Sequence, residues 1–223
     1  MSIYENYRKL RKETADDVTI VLACKKRTAE EVAEVIEAGA SDLGENYVQE
    51  GEKLFDALGD KARRVRWHMI GALQKNKINK ALRIFDTVQT VHSAEQADAI
   101  SLRAGNIGKT VSVFIEVNIG EESSKAGMPP EYDTLKSLAE HISGLEHIRL
   151  QGLMTMGPFW GDAEALRPYF RKTKEMFDRL EKLHLPDTEM KYLSMGMSDS
   201  YRVAIEEGSN MIRVGTMVFG ARD

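Results

Sequence analysis

The chain has 223 residues, with 31 Lys plus Arg against 35 Asp plus Glu, a formal net charge of −4 and a single cysteine. That length, with 42% hydrophobic residues, is enough to bury one large core or two small ones, and an α/β barrel is within reach as one unit. One cysteine excludes a disulfide framework and a cysteine-based zinc site, and the mild acidity argues against a protein that coats nucleic acid. No apolar run approaches the roughly 18 residues of a membrane span. The N-terminal stretch MSIYENYRKLRKETADD is charged throughout, unlike a secretory signal, so a cytoplasmic protein is expected.

Along the chain, strand-like and helix-like runs alternate. An extra helix is predicted over 3–12. The β-branched run 18–24 (VTIVLAC) reads as the first strand. A helix over 28–38 follows, with Thr28 and Glu31 spaced as a capping box and Gly39 placed to stop it. The second strand is short, 41–45, followed by a helix over 46–58. Strands over 65–70 and 85–91 are followed by helices over 75–82 and 93–104. The fifth strand, 111–118, leads through a loop at 119–130 to a helix over 131–142. Strands over 147–153, 190–193 and 211–214 complete the set, with helices over 162–183 and 199–207 between them.

Eight such units predict an α/β protein built as a single (β/α)8 TIM barrel over 1–223. An open doubly wound sheet is the competing architecture, but it usually uses fewer strands, and no GxGxxG follows the first strand. In a barrel the functional site lies at the C-terminal ends of the strands. Those ends carry Lys25 and Lys26, Glu45 to Tyr47, His68, His92, Glu116 and Asn118, Thr155, Ser194 to Ser198, and Arg213 to Thr216.

Burial favours the neutral form of an amine, so a lysine ending a buried strand is a candidate Schiff-base nucleophile. The alternative is a rim lysine whose head reaches water. Strand alternation turns Lys25 and Lys26 to opposite sides, so at most one faces the mouth. Ser194-Met195-Gly196-Met197-Ser198, with Ser198 as a helix N-cap, and Arg213-Val214-Gly215-Thr216 follow the last two strands, where barrels of this kind bind phosphate. His68 reads as a general base or, more often for such a residue, as a hydrogen-bonded barrel residue. Glu116 needs a partner if it is buried. The five histidines show no metal spacing, and no metal is expected. The basic stretch from Lys61 to Lys80 reads as solvated surface.

GENYVQE (residues 44–50), WHMIG with Leu73-Gln74 and Asn76-Lys77, GLM (152–154), LSMGMSD (193–199), and Val214-Gly215-Thr216 leading to Phe219-Gly220-Ala221-Arg222 resemble the YggS/PROSC family of pyridoxal phosphate homeostasis proteins. The match runs in order from about residue 18 to the end of the chain. The resemblance implies a barrel of pyridoxal phosphate fold type III, similar to the N-terminal domain of alanine racemase. It implies pyridoxal 5′-phosphate (PLP) held as an internal aldimine on the lysine ending the first strand. Counting back from Gly39 puts that lysine at Lys25, with Lys26 beside it where the family often has Thr. It further implies phosphate contacts from the Ser194–Ser198 and Gly215-Thr216 segments, Arg213 near the cofactor, and Asn46 lining the site.

The expected function is vitamin B6 homeostasis: the protein holds PLP and releases it to apo-enzymes, with no robust turnover. A monomer is expected, binding neither nucleic acid nor membrane. The alternative is a PLP-dependent amino-acid racemase, which pairs the cofactor lysine with a base from a second domain for which these 223 residues leave no length. A cofactor-free Schiff-base aldolase fits the strand-end residues but not the motifs.

Overall fold

Runs that are apolar on both faces become strands covered on both sides. The computed structural model describes residues 2–122, 126–158 and 162–221; Arg222 of the last motif lies outside them. Strands β1 (Thr19–Ala23), β2 (Asp42–Glu45), β3 (Arg66–Met69), β4 (Thr87–Val91), β5 (Val111–Glu116), β6 (Ile148–Met154), β7 (Tyr192–Ser194) and β8 (Met211–Val214) form one closed parallel barrel in sequence order. β8 returns to β1, with Met211 opposite Thr19 and Val214 opposite Leu22. The closed barrel is therefore the architecture, not the open sheet.

The helices run between the strands: α1 (Ile3–Glu13), α2 (Ala29–Glu37), α3 (Val48–Leu58), α4 (Ile78–Ala81), α5 (Ala94–Gly105), α6 (Tyr132–Ser143), α7 (Arg167–Glu181), α8 (Tyr201–Glu206) and α9 (Thr216–Phe219). The Thr28/Glu31 capping box forms as the spacing predicts, and α1 carries a second one between Ser2 and Glu5. α1 packs on α2 and α9, and Asn6 Nδ2 donates to the Val218 carbonyl at 3.0 Å. No described helix is long and apolar enough to cross a membrane.

Several boundaries differ from the sequence reading. The helix over 75–82 divides into a 3-10 turn (Lys75–Lys77) and the single turn of α4. The fifth strand stops at Glu116, because Val117 turns to pair with Met128 and the Asn118 amide bonds the Met128 carbonyl at 2.9 Å. The seventh strand shifts forward to Tyr192–Ser194. α9 falls inside the last motif, where no helix was predicted.

Two apolar bodies hold the barrel. The larger lies between strands and helices and includes Leu22, Leu43, Trp67, Ile100 and Phe170. The smaller, Val21, Phe114, Met154 and Met211, fills part of the barrel's inside, with Phe114 stacked on Tyr192 at 5.7 Å between ring centres. The rest of the interior is polar: Asp42, His68, Gln89, Ser194 and Arg213 are all buried there. Gly44 leaves room among them, since a Cβ at that position would come within 2.9 Å of both Val21 and Ile70.

Candidate functional site

The two lysines follow β1 in a turn and part company there. Val21 points into the barrel, while Ile20, Leu22 and Cys24 join the outer core. Lys25, two residues past the end of β1, is half-buried, and its Nζ lies 5.0 Å from the centre of the Tyr47 ring. Lys26 is exposed, has φ +61°, and bonds Glu50 Oε2 through its backbone amide at 3.3 Å. It borders a hollow between α2 and α3 with Arg27, Glu50 and Lys53. Cys24 is buried, and desolvation pushes its thiol well above the usual range, which leaves it unreactive.

Asn46 and Tyr47 stand just beyond β2. Together with Met69, Gly71, Gln74 and Lys77 they border a cavity of about 480 Å³. The GENYVQE and WHMIG segments meet here: a Cβ on Gly71 would fall 2.3 Å from the Asn46 carbonyl oxygen, so only glycine lets the two backbones approach so closely.

The last two strands bring Ser198 and Gly215 together. Ser198 Oγ accepts from the backbone amides of Gly215 at 3.3 Å and Met217 at 3.4 Å. Ser198 does not cap α8: the helix starts at Tyr201 with Ser200 in the N-cap position, and Ser200 Oγ makes no cap bond but accepts from the preceding Met197 amide at 3.1 Å. Gly196 makes this turn possible, with φ +94° and no room for a Cβ, which would lie 2.6 Å from Ala204 Cβ. Thr216 opens α9 and is exposed.

Ser194 lies deeper. It is buried inside the barrel, donating to Gln89 Oε1 at 2.7 Å and accepting from Arg213 Nη1 at 2.7 Å. Arg213 also donates to the Thr155 carbonyl at 2.8 Å. Burial pushes its guanidinium down to about 10, against the opposing pull of the Glu116 charge. Glu116 is buried as well, and desolvation raises its carboxyl above the usual range despite the charges of His92 and Arg213. Its Oε2 finds no hydrogen-bond partner among the described residues, so the partner expected of a buried carboxylate is missing at that atom.

His68 is the hydrogen-bonded barrel residue of the two sequence readings. Its Nε2 lies 2.9 Å from Asp42 Oδ1 and its Nδ1 3.0 Å from Gln89 Nε2. Burial raises the Asp42 carboxyl, but hydrogen bonds from His68, Arg66 and Ser41 outweigh it and bring it down to about 2. Asp42 and Gln89 were not singled out from the sequence. Their signal was a polar residue on the inward row of a barrel strand, Asp42 in DLGE and Gln89 in TVQTV. The basic stretch is largely paired, as Lys61 and Arg64 meet Glu37, Lys75 meets Glu95, and Lys80 meets Glu52.

A family model described as alanine racemase, N-terminal domain, matches residues 1–223. The pyridoxal phosphate homeostasis protein of Aquifex aeolicus is 39% identical over 203 residues, 90% of this chain and 85% of that protein. The chain belongs to the pyridoxal phosphate homeostasis family. The member from Pasteurella multocida is 36% identical over 206 residues, 92% of this chain and 87% of that protein. Among solved structures, PipY of Synechococcus elongatus without PLP is similar at a TM-score of 0.92 and 30% identity, over 98% of this chain and 100% of PipY. PipY with PLP bound gives 0.89 at the same identity and coverage. Alanine racemase of Clostridium difficile shares the fold, at a TM-score of 0.82 and 18% identity, over 99% of this chain and 57% of the racemase.

Proposed function

We propose that this chain binds pyridoxal 5′-phosphate at the mouth of its barrel and serves vitamin B6 homeostasis, holding the cofactor and releasing it to apo-enzymes. One observation carries the reading: the Lys25 amine, over the Tyr47 ring, and a serine hydroxyl that gathers two amides both stand past the C-terminal ends of strands, at the same end of the barrel. Bound there, the cofactor would supply an aldehyde suited to a lysine amine and a phosphate suited to amide and hydroxyl donors.

The residues present fit such a group. The groups at the mouth are the Lys25 amine and the Ser198 hydroxyl, whose oxygen gathers the Gly215 and Met217 amides, with the buried Arg213 guanidinium beside them. Lys25 would hold the aldehyde covalently, and Ser198, Gly215 and Thr216 would hold the phosphate. Arg213 would stand beside the cofactor as a fixed cation, steadied from below by Ser194, and Asn46 would line the wall. Residues 1–223 would act as one barrel unit, a cytoplasmic monomer.

Purified protein incubated with PLP should gain visible absorption that survives gel filtration and disappears in Lys25→Ala. A wild-type protein that stays colourless and cannot be loaded would overturn the reading. The racemase alternative is tested in the same preparation by incubation with single amino-acid enantiomers and chiral analysis. Efficient interconversion there would replace the carrier reading.

A further inference from the structure

A row of polar side chains crosses the barrel from Arg66, at the N-terminal end of β3, to Arg213 at the mouth. Arg66 grips Asp42 through Nε at 2.9 Å and Nη2 at 3.0 Å. Asp42 Oδ1 meets His68 Nε2 at 2.9 Å, and His68 Nδ1 meets Gln89 Nε2 at 3.0 Å. Gln89 Oε1 then meets Ser194 Oγ, and Ser194 Oγ meets Arg213 Nη1, each at 2.7 Å. From Asp42 to Arg213 every member is buried.

The direction of this row is fixed at three points. A guanidinium only donates, so Ser194 accepts from Arg213 and turns its own hydrogen to Gln89 Oε1. The amide nitrogen of Gln89 therefore lies on the other side, where the Met211 thioether, which only accepts, sits 3.3 Å away. His68 Nδ1 must then accept, leaving its proton on Nε2 and aimed at a carboxylate that also only accepts. Reversing any single member would set two donors face to face.

Arg213 has a competing partner. Glu116 feels its charge, yet no hydrogen bond joins the two among the described residues, and Glu116 Oε2 stays unpartnered. The guanidinium is turned instead to Ser194 and the Thr155 carbonyl. Ser194 can receive it in that direction only while Gln89 takes the serine hydrogen, and Gln89 is oriented by His68 and Met211.

We propose that His68 and Gln89 are positioning residues for Arg213: the directed row holds its guanidinium beside the place assigned to pyridoxal phosphate and keeps it from pairing with Glu116. The assignment to the cofactor rests on the function proposed above; the hold on Arg213 does not.

The test uses the full 15N-labelled chain, without and with PLP. Wild-type His68 should carry its proton on Nε2 at pH 7 with Nδ1 bare. Gln89→Met, similar in length but unable to join the row, should shift or broaden the Arg213 side-chain signal in cofactor-free protein. It should also raise the Kd for PLP about tenfold while keeping the wild-type circular dichroism. Gln89→Glu offers acceptors to both neighbours, so it should put a proton on His68 Nδ1 and hold the Kd within about threefold of wild type. An unmoved Arg213 signal in Gln89→Met, or a wild-type His68 protonated on Nδ1, overturns the proposal. If Gln89→Met does not fold, the His68 and Arg213 signals of Gln89→Glu decide: a bare Nδ1 there defeats it. If wild type takes up no PLP, the functional reading fails, and the two signals in cofactor-free protein still decide whether the row positions Arg213.

Discussion

Lys25 and Lys26 are adjacent in the chain and serve different sides of the barrel wall. Lys25 carries its amine to the Tyr47 ring at the mouth, whereas Lys26 borders the hollow between α2 and α3 and is tied through its backbone to Glu50. The chain turns between them, with Lys26 at φ +61°, so the two side chains meet different surroundings and one cannot replace the other. Lys25→Ala should lose all PLP-dependent visible absorption, and Lys26→Ala should keep it. Retention in Lys25→Ala with loss in Lys26→Ala would reverse the assignment.

Asp42 ties its part of the barrel's stability to pH. Its carboxyl is brought from 3.8 down to about 2 in the folded chain. A depressed carboxylate stabilises the fold above its unfolded value, and that share is lost as pH falls through the folded value. At 1.36 kcal/mol per unit, the Asp42 share lost between pH 5 and pH 2 is about 2 kcal/mol. Urea unfolding followed across that range should show the wild-type stability falling by about that much more than the stability of Asp42→Asn. Parallel curves for the two proteins would show that Asp42 is not held ionised by His68 and Arg66.

Glu116 acts in the opposite sense. Burial raises its carboxyl, so the folded chain holds this proton more tightly than the unfolded chain, and the fold loses stability as pH rises through the window above 4.5. Glu116→Gln removes that loss. It should raise Tm at pH 7 and give no advantage at pH 4. A Glu116→Gln protein less stable than wild type at pH 7 would mean that the ionised carboxylate is paired.

What the sequence disclosed and what it concealed follow from the range of the interactions. Strands such as β1 and β5 were readable because each is a local apolar run, and both ends of α2 were readable because Thr28 and Glu31 act within its first turn and Gly39 lies just past its last. The strand ends also picked out Lys25, Ser198 and Arg213 as residues that share one face of the fold. The interior row was hidden, since Gln89 and Ser194 are 105 positions apart and only barrel closure brings them together. Ser198 was assigned to its own helix because a serine before a helix usually caps it. Its actual partners, Gly215 and Met217, lie across the gap between β7 and β8. The carboxyl of Glu116 could be placed on β5 from its parity, but no pattern in the chain reveals that one of its oxygens is left alone.

Two glycines with positive φ separate backbone strain from crowding. Gly39 has φ +100° with open space around it, and Gly196 has φ +94° with Ala204 Cβ at 2.6 Å and Tyr201 Cα at 2.9 Å from an added Cβ. Gly39→Ala should therefore cost about 1–2 kcal/mol, the backbone share alone. Gly196→Ala adds displacement of α8 and should cost about 2–4 kcal/mol. Urea midpoints at constant slope measure both, and equal losses would show that α8 yields without cost.

Ser198 gathers the amides of Gly215 and Met217 on one oxygen, so its loss should be felt by the phosphate and not by the aldehyde. A hydrogen bond to a charged group contributes about 1.5–3 kcal/mol, which corresponds to at least a tenfold change in Kd. Ser198→Ala should weaken PLP binding by about tenfold or more and leave the weaker binding of pyridoxal, which has no phosphate, nearly unchanged. Inorganic phosphate should compete with PLP in the wild type and lose most of that competition in the variant. Equal weakening of PLP and pyridoxal would instead mean that Ser198 supports the shape of the β7–β8 loops and makes no contribution of its own to phosphate binding.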